Sequence, residues 1–336
     1  MSVFWWTKAS DLAVRGEASI LVTVCTVQGS APREAGAKML VWKDGQDGTV
    51  GGGNLEFTIV EQARRMLHSP APWRFQNYPL GPLLAQCCGG NVGILLERID
   101  GRSLPWLWEL ANAEASLRPY SLTSQLGIDQ IIKQVSQVAE CTDGQAGIRV
   151  VPAASEDSIT RHIGQGSTIS ERVAPRASLL MFGAGHVGKA VAQIASTLPF
   201  HLSWFDTRPE FATEGVELTD NPVSKIDAAL PGSFFLIFTQ NHSLDYELTR
   251  AVMRRANFRY CGLIGSATKR TRFEKRLVAD GIPKQALATL TCPIGAIGLK
   301  SKIPAIIAVA VTAELLLSLQ NAVQADSRTA KETHVG

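Results

Sequence analysis

One segment constrains the fold of this chain more than any other: Leu179-Leu-Met-Phe-Gly-Ala-Gly-His-Val-Gly-Lys-Ala-Val-Ala-Gln-Ile-Ala. An apolar run of strand length meets Gly183-x-Gly185-x-x-Gly188, with His186 inside the motif, and a helix-like apolar pattern follows at once. Gly183 permits a tight turn, Gly185 lets backbone approach a phosphate, and Gly188 lets the helix lie close to the strand. The open N–H groups at the helix start form an anion site. His201-Leu-Ser-Trp-Phe-Asp206 then reads as a second strand ending in an acid about twenty residues past the glycines, where a ribose hydroxyl would be held. Arg208, two residues on, would serve a phosphate instead. Strand, glycines, helix and acid together read as a Rossmann-type unit. A glycine turn without a ligand leaves the same trace.

The alternation of strands and helices continues from residue 178 to about 325, so this half is expected to hold a mainly parallel sheet. Phe234-Phe-Leu-Ile-Phe is a strand whose end carries Thr239, Asn241, His242 and Asp245. Ligands in open α/β sheets sit beyond the carboxyl ends of strands, which puts His242 and Asp245 at the edge of a site. A helix cap by Ser243 or Asp245 beside an exposed histidine explains the same residues. Arg259-Tyr-Cys-Gly-Leu-Ile-Gly-Ser-Ala-Thr repeats the strand, glycine, helix order, and Lys269, Arg270 and Arg272 crowd the helix start. Cations there oppose the helix dipole and are easier to understand beside an anionic ligand. Lys300 and Lys302 add charge to a later loop, and Ile303–Leu319 reads as a buried helix rather than a membrane span, because Pro304, Thr312, Glu314 and Ser318 interrupt it.

The first half, residues 1–150, reads as a glycine-rich α/β domain. Ala18–Val27 is a buried strand, Lys38–Trp42 the next, and Asp44-Gly45 a hairpin signal. Arg33, on a loop braced by Pro32 and Gly36, offers a fork of donors suited to phosphate or carboxylate. Gly51-Gly52-Gly53 precedes a helix over Thr58–Leu67, and its successive N–H groups suit an anion nest; a plain tight turn is the competing account. Cys88 precedes Gly89-Gly90, whose backbone donors would lower a thiol pKa, although free cysteines are usually core residues. Residues 122–140 show some helical character. Residues 151–177 are turn-rich and polar and read as a linker, and residues 326–336 as a disordered tail.

The chain's 336 residues suit about two domains, and 45% apolar residues supply their cores. The net charge of +3 is spread without a basic stripe, so no nucleic-acid partner is expected. The six cysteines form no C-x-x-C pair, which argues against a zinc knuckle. The N-terminus has no signal-peptide pattern, so a cytoplasmic protein with reduced thiols and no membrane attachment is expected.

Motifs from both halves resemble the XdhC/CoxI family of xanthine dehydrogenase accessory proteins. They are Gly29-Ser30-x-Pro-Arg33, Gly48-Thr-x-Gly51-Gly52-Gly53-x-x-Glu56 and Cys88-Gly-Gly, then Gly183-Ala-Gly185-His186-Val-Gly188, Asp206-x-Arg208, the Thr239–Asp245 segment, Ile264-Gly-Ser266-Ala-Thr-Lys269-Arg270 and Cys292-Pro-Ile-Gly. The resemblance implies a factor that binds the molybdenum cofactor (molybdopterin), holds it for sulfuration by a cysteine desulfurase, and inserts it into the molybdenum-binding subunit of apo xanthine dehydrogenase. Molybdenum cofactor biosynthesis proteins are further implied partners, and a homodimer is compatible with it. Ser30, Arg33, Gly51, Gly52, Gly53, Glu56 and Cys88 in the first half, and Gly183, Gly185, His186, Gly188, Asp206, Arg208, His242, Asp245, Ser266, Lys269 and Arg270 in the second, are the implied cofactor contacts, with Cys88 an implied molybdenum ligand, since molybdenum accepts soft thiolates. The residues call for no catalytic set of nucleophile, base and oxyanion hole. The chain departs from many relatives at Gln240, where they carry His, and at Ile306, where they carry Glu. Two other readings stay open: an NAD(P)-dependent oxidoreductase using the GxGxxG site, or an adaptor that binds no cofactor, with a nucleotide or dinucleotide as the first reading's ligand.

Overall fold

The computed structural model describes residues 5–81, 89–139, 146–153, 163–295, 299 and 301–332, with side chains to residue 321 in the last helix. The chain divides into two compact units, Met1–Pro175 and Arg176–Gly336.

The first unit runs α1 (Trp5–Val14), β1 (Ser19–Gln28), β2 (Lys38–Trp42), β3 (Gly45–Gly48), α2 (Gly53–Leu67), β4 (Trp73–Pro79), β5 (Asn91–Ile99), α3 (Leu104–Ala115), β6 (Tyr120–Leu126), β7 (Ile131–Gln137), β8 (Gly147–Val151) and β9 (Thr168–Val173). Five strands form an antiparallel sheet in the order β3-β2-β1-β5-β4. Ile20, Val22, Met39 and Val41 face Leu55, Ile59 and Ala63 of α2. Leu21 and Leu40 face the other way, onto Leu12 of α1 and Leu107 and Leu110 of α3. Both faces of β1 are covered, which is why its sequence is a continuous apolar run rather than an alternating one. The β2–β3 turn falls on Lys43-Asp44, one residue before the Asp44-Gly45 signal, because Trp42 pairs with Gly45.

Three expectations fail here. Residues 122–140 hold the antiparallel pair β6–β7 instead of a helix. The span expected as a linker carries β9, an inner strand of a second sheet ordered β7-β6-β9-β8. Its polar residues alternate with buried Ile169 and Glu171, so long-range pairing supplies what local composition does not show. Two buried ion pairs join this sheet to the first: Lys38–Glu171 and Lys133–Glu97, each at 2.8 Å. Finally, residues 326–332, expected to be disordered, continue the last helix of the chain. Arg328, Ala330, Lys331 and Glu332 are good helix formers and propagate a helix that the packed segment has already nucleated.

The second unit runs β10 (Ala177–Phe182), α4 (His186–Ala195), β11 (Phe200–Asp206), β12 (Val216–Leu218), α5 (Pro222–Asp227), β13 (Ser233–Ile237), α6 (His242–Arg255), β14 (Phe258–Leu263), α7 (Ala267–Ala279), α8 (Lys284–Leu287), β15 (Leu290–Thr291) and α9 (Pro304–Glu332). All strand pairs are parallel, in the order β12-β11-β10-β13-β14-β15. Numbered within the sheet this is 3-2-1-4-5-6, the doubly wound order, with the switch point between β10 and β13. Leu179, Met181, Phe234 and Leu236 meet Val191 of α4 and Val311 and Leu315 of α9 on one face. Leu180, Phe182, Phe235 and Ile237 meet Leu248 and Val252 of α6 and Phe273 of α7 on the other. Residues 304–321 of α9 are apolar and long enough to cross a membrane, and 28% of that window is buried. Its inner face is core, as expected, but its outer face leaves Ile306, Val309 and Leu317 exposed.

Candidate functional site

In the first unit, three segments distant in sequence meet at one end of the five-stranded sheet. A Cβ on Gly90 would lie 2.3 Å from the Ser30 carbonyl oxygen and 2.5 Å from that of Gln28, so only glycine admits this approach. A Cβ on Gly51 would lie 2.5 Å from the Pro32 ring. The Gly29–Arg33 loop, the Thr49–Gly53 turn and Gly90 therefore form one cluster. Arg33 stands at its edge with 21% of its side chain exposed. Its guanidinium donates to the Thr49 carbonyl (3.3 Å) and to the Glu34 carboxylate (3.0 Å).

The expected anion nest is filled from within. One oxygen of Glu56 accepts the Val50 and Gly52 amides, each at 3.1 Å, and the Thr49 hydroxyl. The Gly51 amide donates to Thr49 Oγ1 at 3.3 Å. Burial pushes the Glu56 carboxyl up, but these hydrogen bonds outweigh it and hold the group below the usual carboxylate range. Glu56 is thus an internal anion that shapes the turn, and the amides of Val50 and Gly52 are already engaged. Cys88 lies outside the described residues.

In the second unit the three motif glycines separate by role. A Cβ on Gly188 would sit 2.1 Å from the Gly183 carbonyl oxygen, and one on Gly183 2.6 Å from that of Phe238. Both glycines are required by packing. Gly183 is further fixed by the Trp204 indole, which donates to its carbonyl at 3.1 Å. A Cβ on Gly185 would meet nothing within 4 Å. The fold does not need glycine there, but a ligand approaching the backbone would. Gly185 is also the cap of α4 and provides no side-chain acceptor, whereas Asn221, Asn241 and Ser266 cap α5, α6 and α7. His186, the first residue of α4, is exposed.

A cavity of about 410 Å³ opens beside this turn, beyond the ends of β10, β11 and β13. Phe182, Phe205, Pro222, Leu244 and Leu248 wall it, and Asp206, Arg208, Gln240 and Asn241 supply its polar groups. Asp206 is 5% exposed. Its Oδ2 accepts the Ala184 amide at 2.6 Å and Arg208 Nη2 at 2.8 Å; its Oδ1 accepts the Arg208 amide and Nε, each at 2.9 Å. Burial raises the Asp206 carboxyl, and the Arg208 side chain with these amides more than reverses that, leaving it below its ordinary value. The guanidinium carbon of Arg208 lies 3.9 Å from the centroid of the Phe211 ring.

Asp245, Lys269 and Arg270, also expected in the site, are engaged by other protein groups. Asp245 is 1% exposed and accepts from Lys269 Nζ at 2.5 Å and Thr239 Oγ1 at 2.6 Å. Arg270 donates to Glu274 at 2.7 Å and to the Cys292 carbonyl at 3.3 Å. Lys269 and Arg270 at the start of α7 thus answer to internal acceptors, which removes the need for an external anion there. Asn241, rather than Asp245 or Ser243, caps α6, and His242 is exposed. Pro222 and Leu244, which line the cavity beside Gln240, and Trp204, which pins the glycine turn, were not singled out from sequence. Nothing local marks them, since they reach the site through the packing of α5 and α6. Among the described residues no group of three or more His, Cys, Asp or Glu is placed to hold a metal ion.

Residues 179–315 match the XdhC Rossmann domain, and residues 12–77 match the XdhC and CoxI family. A protein of Bacillus subtilis (strain 168) named as a probable xanthine dehydrogenase subunit is 24% identical over 323 residues, covering 89% of this chain and 93% of that protein. The uncharacterized protein YqeB of Escherichia coli (strain K12) is 30% identical over 160 residues, which are 44% of this chain and 28% of YqeB. A crystal structure titled a xanthine dehydrogenase from Bacillus halodurans superposes with a TM-score of 0.67 at 21% identity, covering 94% of this chain and 96% of that one, and so shares the fold. With motifs of both units matched in order, the chain belongs to the XdhC and CoxI family.

Proposed function

We propose that this chain is a maturation factor of xanthine dehydrogenase that holds the molybdenum cofactor, keeps it for sulfuration by a cysteine desulfurase in the cytoplasm, and passes it to the molybdenum-binding subunit of the apoenzyme. The observation that carries this reading is the meeting of the Gly29–Arg33 loop, the Thr49–Gly53 turn and Gly90 in the first unit. Such a cluster is built from backbone at close approach, with one part-buried arginine at its rim. It suits a pterin whose polar edge needs backbone partners and whose phosphate needs a cation.

Because Glu56 already takes the Val50 and Gly52 amides, the groups present that would hold the phosphate are Arg33 and the first turn of α2, with Ser30 beside them. The cofactor when bound would supply the molybdenum and its dithiolene, and the chain's part is to bind, orient and shield it. The Bacillus subtilis relative, named for xanthine dehydrogenase, supports the choice of recipient.

The test is to mix the purified chain with isolated molybdenum cofactor, measure molybdenum retained per chain, and then measure activity recovered by apo xanthine dehydrogenase. Retention followed by transfer is expected. Activation without retention would replace this reading with that of an adaptor.

A further inference from the structure

The cavity of the second unit differs from a site that reads a ribose diol. A diol is held when its hydroxyls donate to an open carboxylate at the end of the second strand. Asp206 occupies that place, but four donors already fill its two oxygens: the Ala184 amide, the Arg208 amide, and Nε and Nη2 of Arg208. No acceptor position remains for a hydroxyl. Arg208 Nη1 makes no hydrogen bond among the described residues, and its side chain is 27% exposed. The guanidinium plane lies over Phe211, which fixes where those N–H groups point. The spot therefore offers unspent guanidinium donors, beside a carboxylate already neutralised by the same arginine, rather than an acceptor.

We propose that this cavity binds a nucleotide whose ribose carries a phosphomonoester, with that phosphate on Arg208 and the bridging phosphates over the uncapped start of α4 at Gly185. Three independent features converge on it. The cavity has apolar walls and a volume of about 410 Å³, enough for a nucleoside moiety. Gly185 lies two residues past Gly183 of the cavity wall, and a Cβ there would meet open space, so packing does not account for its being glycine. Arg208 is a fork-shaped donor at the ribose end. The site is built from residues of the second unit alone and does not rest on the molybdenum cofactor reading.

The experiment is calorimetric titration of the full chain with NADP⁺ and with NAD⁺, which differ only in the ribose phosphate. NADP⁺ should bind at least about tenfold more tightly, the factor expected of a charge-assisted contact. Arg208→Ala should remove the preference, and Arg208→Lys, which keeps the charge but not the fork, should retain part of it. Gly185→Val should abolish binding of both, with the chain still folded and its melting temperature lowered by no more than the cost of a poorer helix cap. Equal or tighter binding of NAD⁺ would overturn the proposal, because it would mean that Asp206 gives up Arg208 to hold a diol. Failure of a normally folded chain to bind NADP⁺ would also overturn it. Molybdenum retention measured on the same preparation keeps this result apart from the cofactor reading.

Discussion

Lys269→Met tests whether the charged residues at the start of α7 belong to the fold or to a ligand. Asp245 is 1% exposed and its carboxylate depends on two partners, Lys269 Nζ at 2.5 Å and Thr239 Oγ1 at 2.6 Å. Lys269 also donates to the Ile264 carbonyl at 2.9 Å. Methionine keeps most of the stem's packing and removes the charge, so a buried carboxylate is left with a single hydroxyl donor. Breaking one side of a buried pair costs about 3–5 kcal/mol. For a unit of this size that lowers the melting temperature by about 10 °C, at roughly 2–4 °C per kcal/mol. The double variant Lys269→Met/Asp245→Asn should recover more than half of the loss, since the stranded charge is gone. Calorimetry gives the size, and hydrogen exchange in peptides of α6, β14 and α7 locates the effect in the second unit. A Lys269→Met protein that melts like the parent but no longer holds a nucleotide or the molybdenum cofactor would refute the reasoning and return these residues to a binding site.

The first unit and the glycine motif give three further expectations. Arg33→Ala should weaken the molybdenum cofactor by about 1.5–3 kcal/mol, the scale of a hydrogen bond to a charged group, with little change in melting; unchanged affinity would remove Arg33 from the site. Gly188→Ala should destabilise, because its methyl would sit 2.1 Å from the Gly183 carbonyl oxygen, whereas Gly185→Ala should melt like the parent; equal melts for the two would contradict this division of roles. Glu56 is held below the ordinary carboxylate value in the folded chain, so its stabilisation is complete above the unfolded pKa of about 4.3 and is lost as pH falls through the lower folded value. Stability of the first unit should fall over that acidic window and fall less steeply in Glu56→Gln, and identical pH profiles would show that the carboxylate is not what holds the turn.

The sequence by itself determined the local units. Leu179–Ala195 carries its strand, turn and helix in order, and each step follows from a residue type: apolar run, glycines, amphipathic pattern. The same holds for β1 and β2, and for α2 from Thr58 onward, though its first turn from Gly53 reads in sequence as part of the glycine turn. It also placed Arg33, Gly51, Gly90 and Asp206 near strand ends, because turns must be made there. What it could not contain is which partner each polar group finds. Asp245, Lys269 and Arg270 have the composition of an anion site, and only the packing of α6 against α7 shows that two of them satisfy each other. Glu56 looks like a ligand group until the fold turns it back onto the amides of Val50 and Gly52. Strand β9 was hidden for a related reason: its residues are mostly polar, and its place is set by hydrogen bonds to β6 and β8, one of them almost fifty residues away. Backbone conformation is largely a local property and can be read along the chain. The pairing of charges and strand edges is settled by distance in space, so the tertiary structure alone decides whether a donor is left over for a ligand.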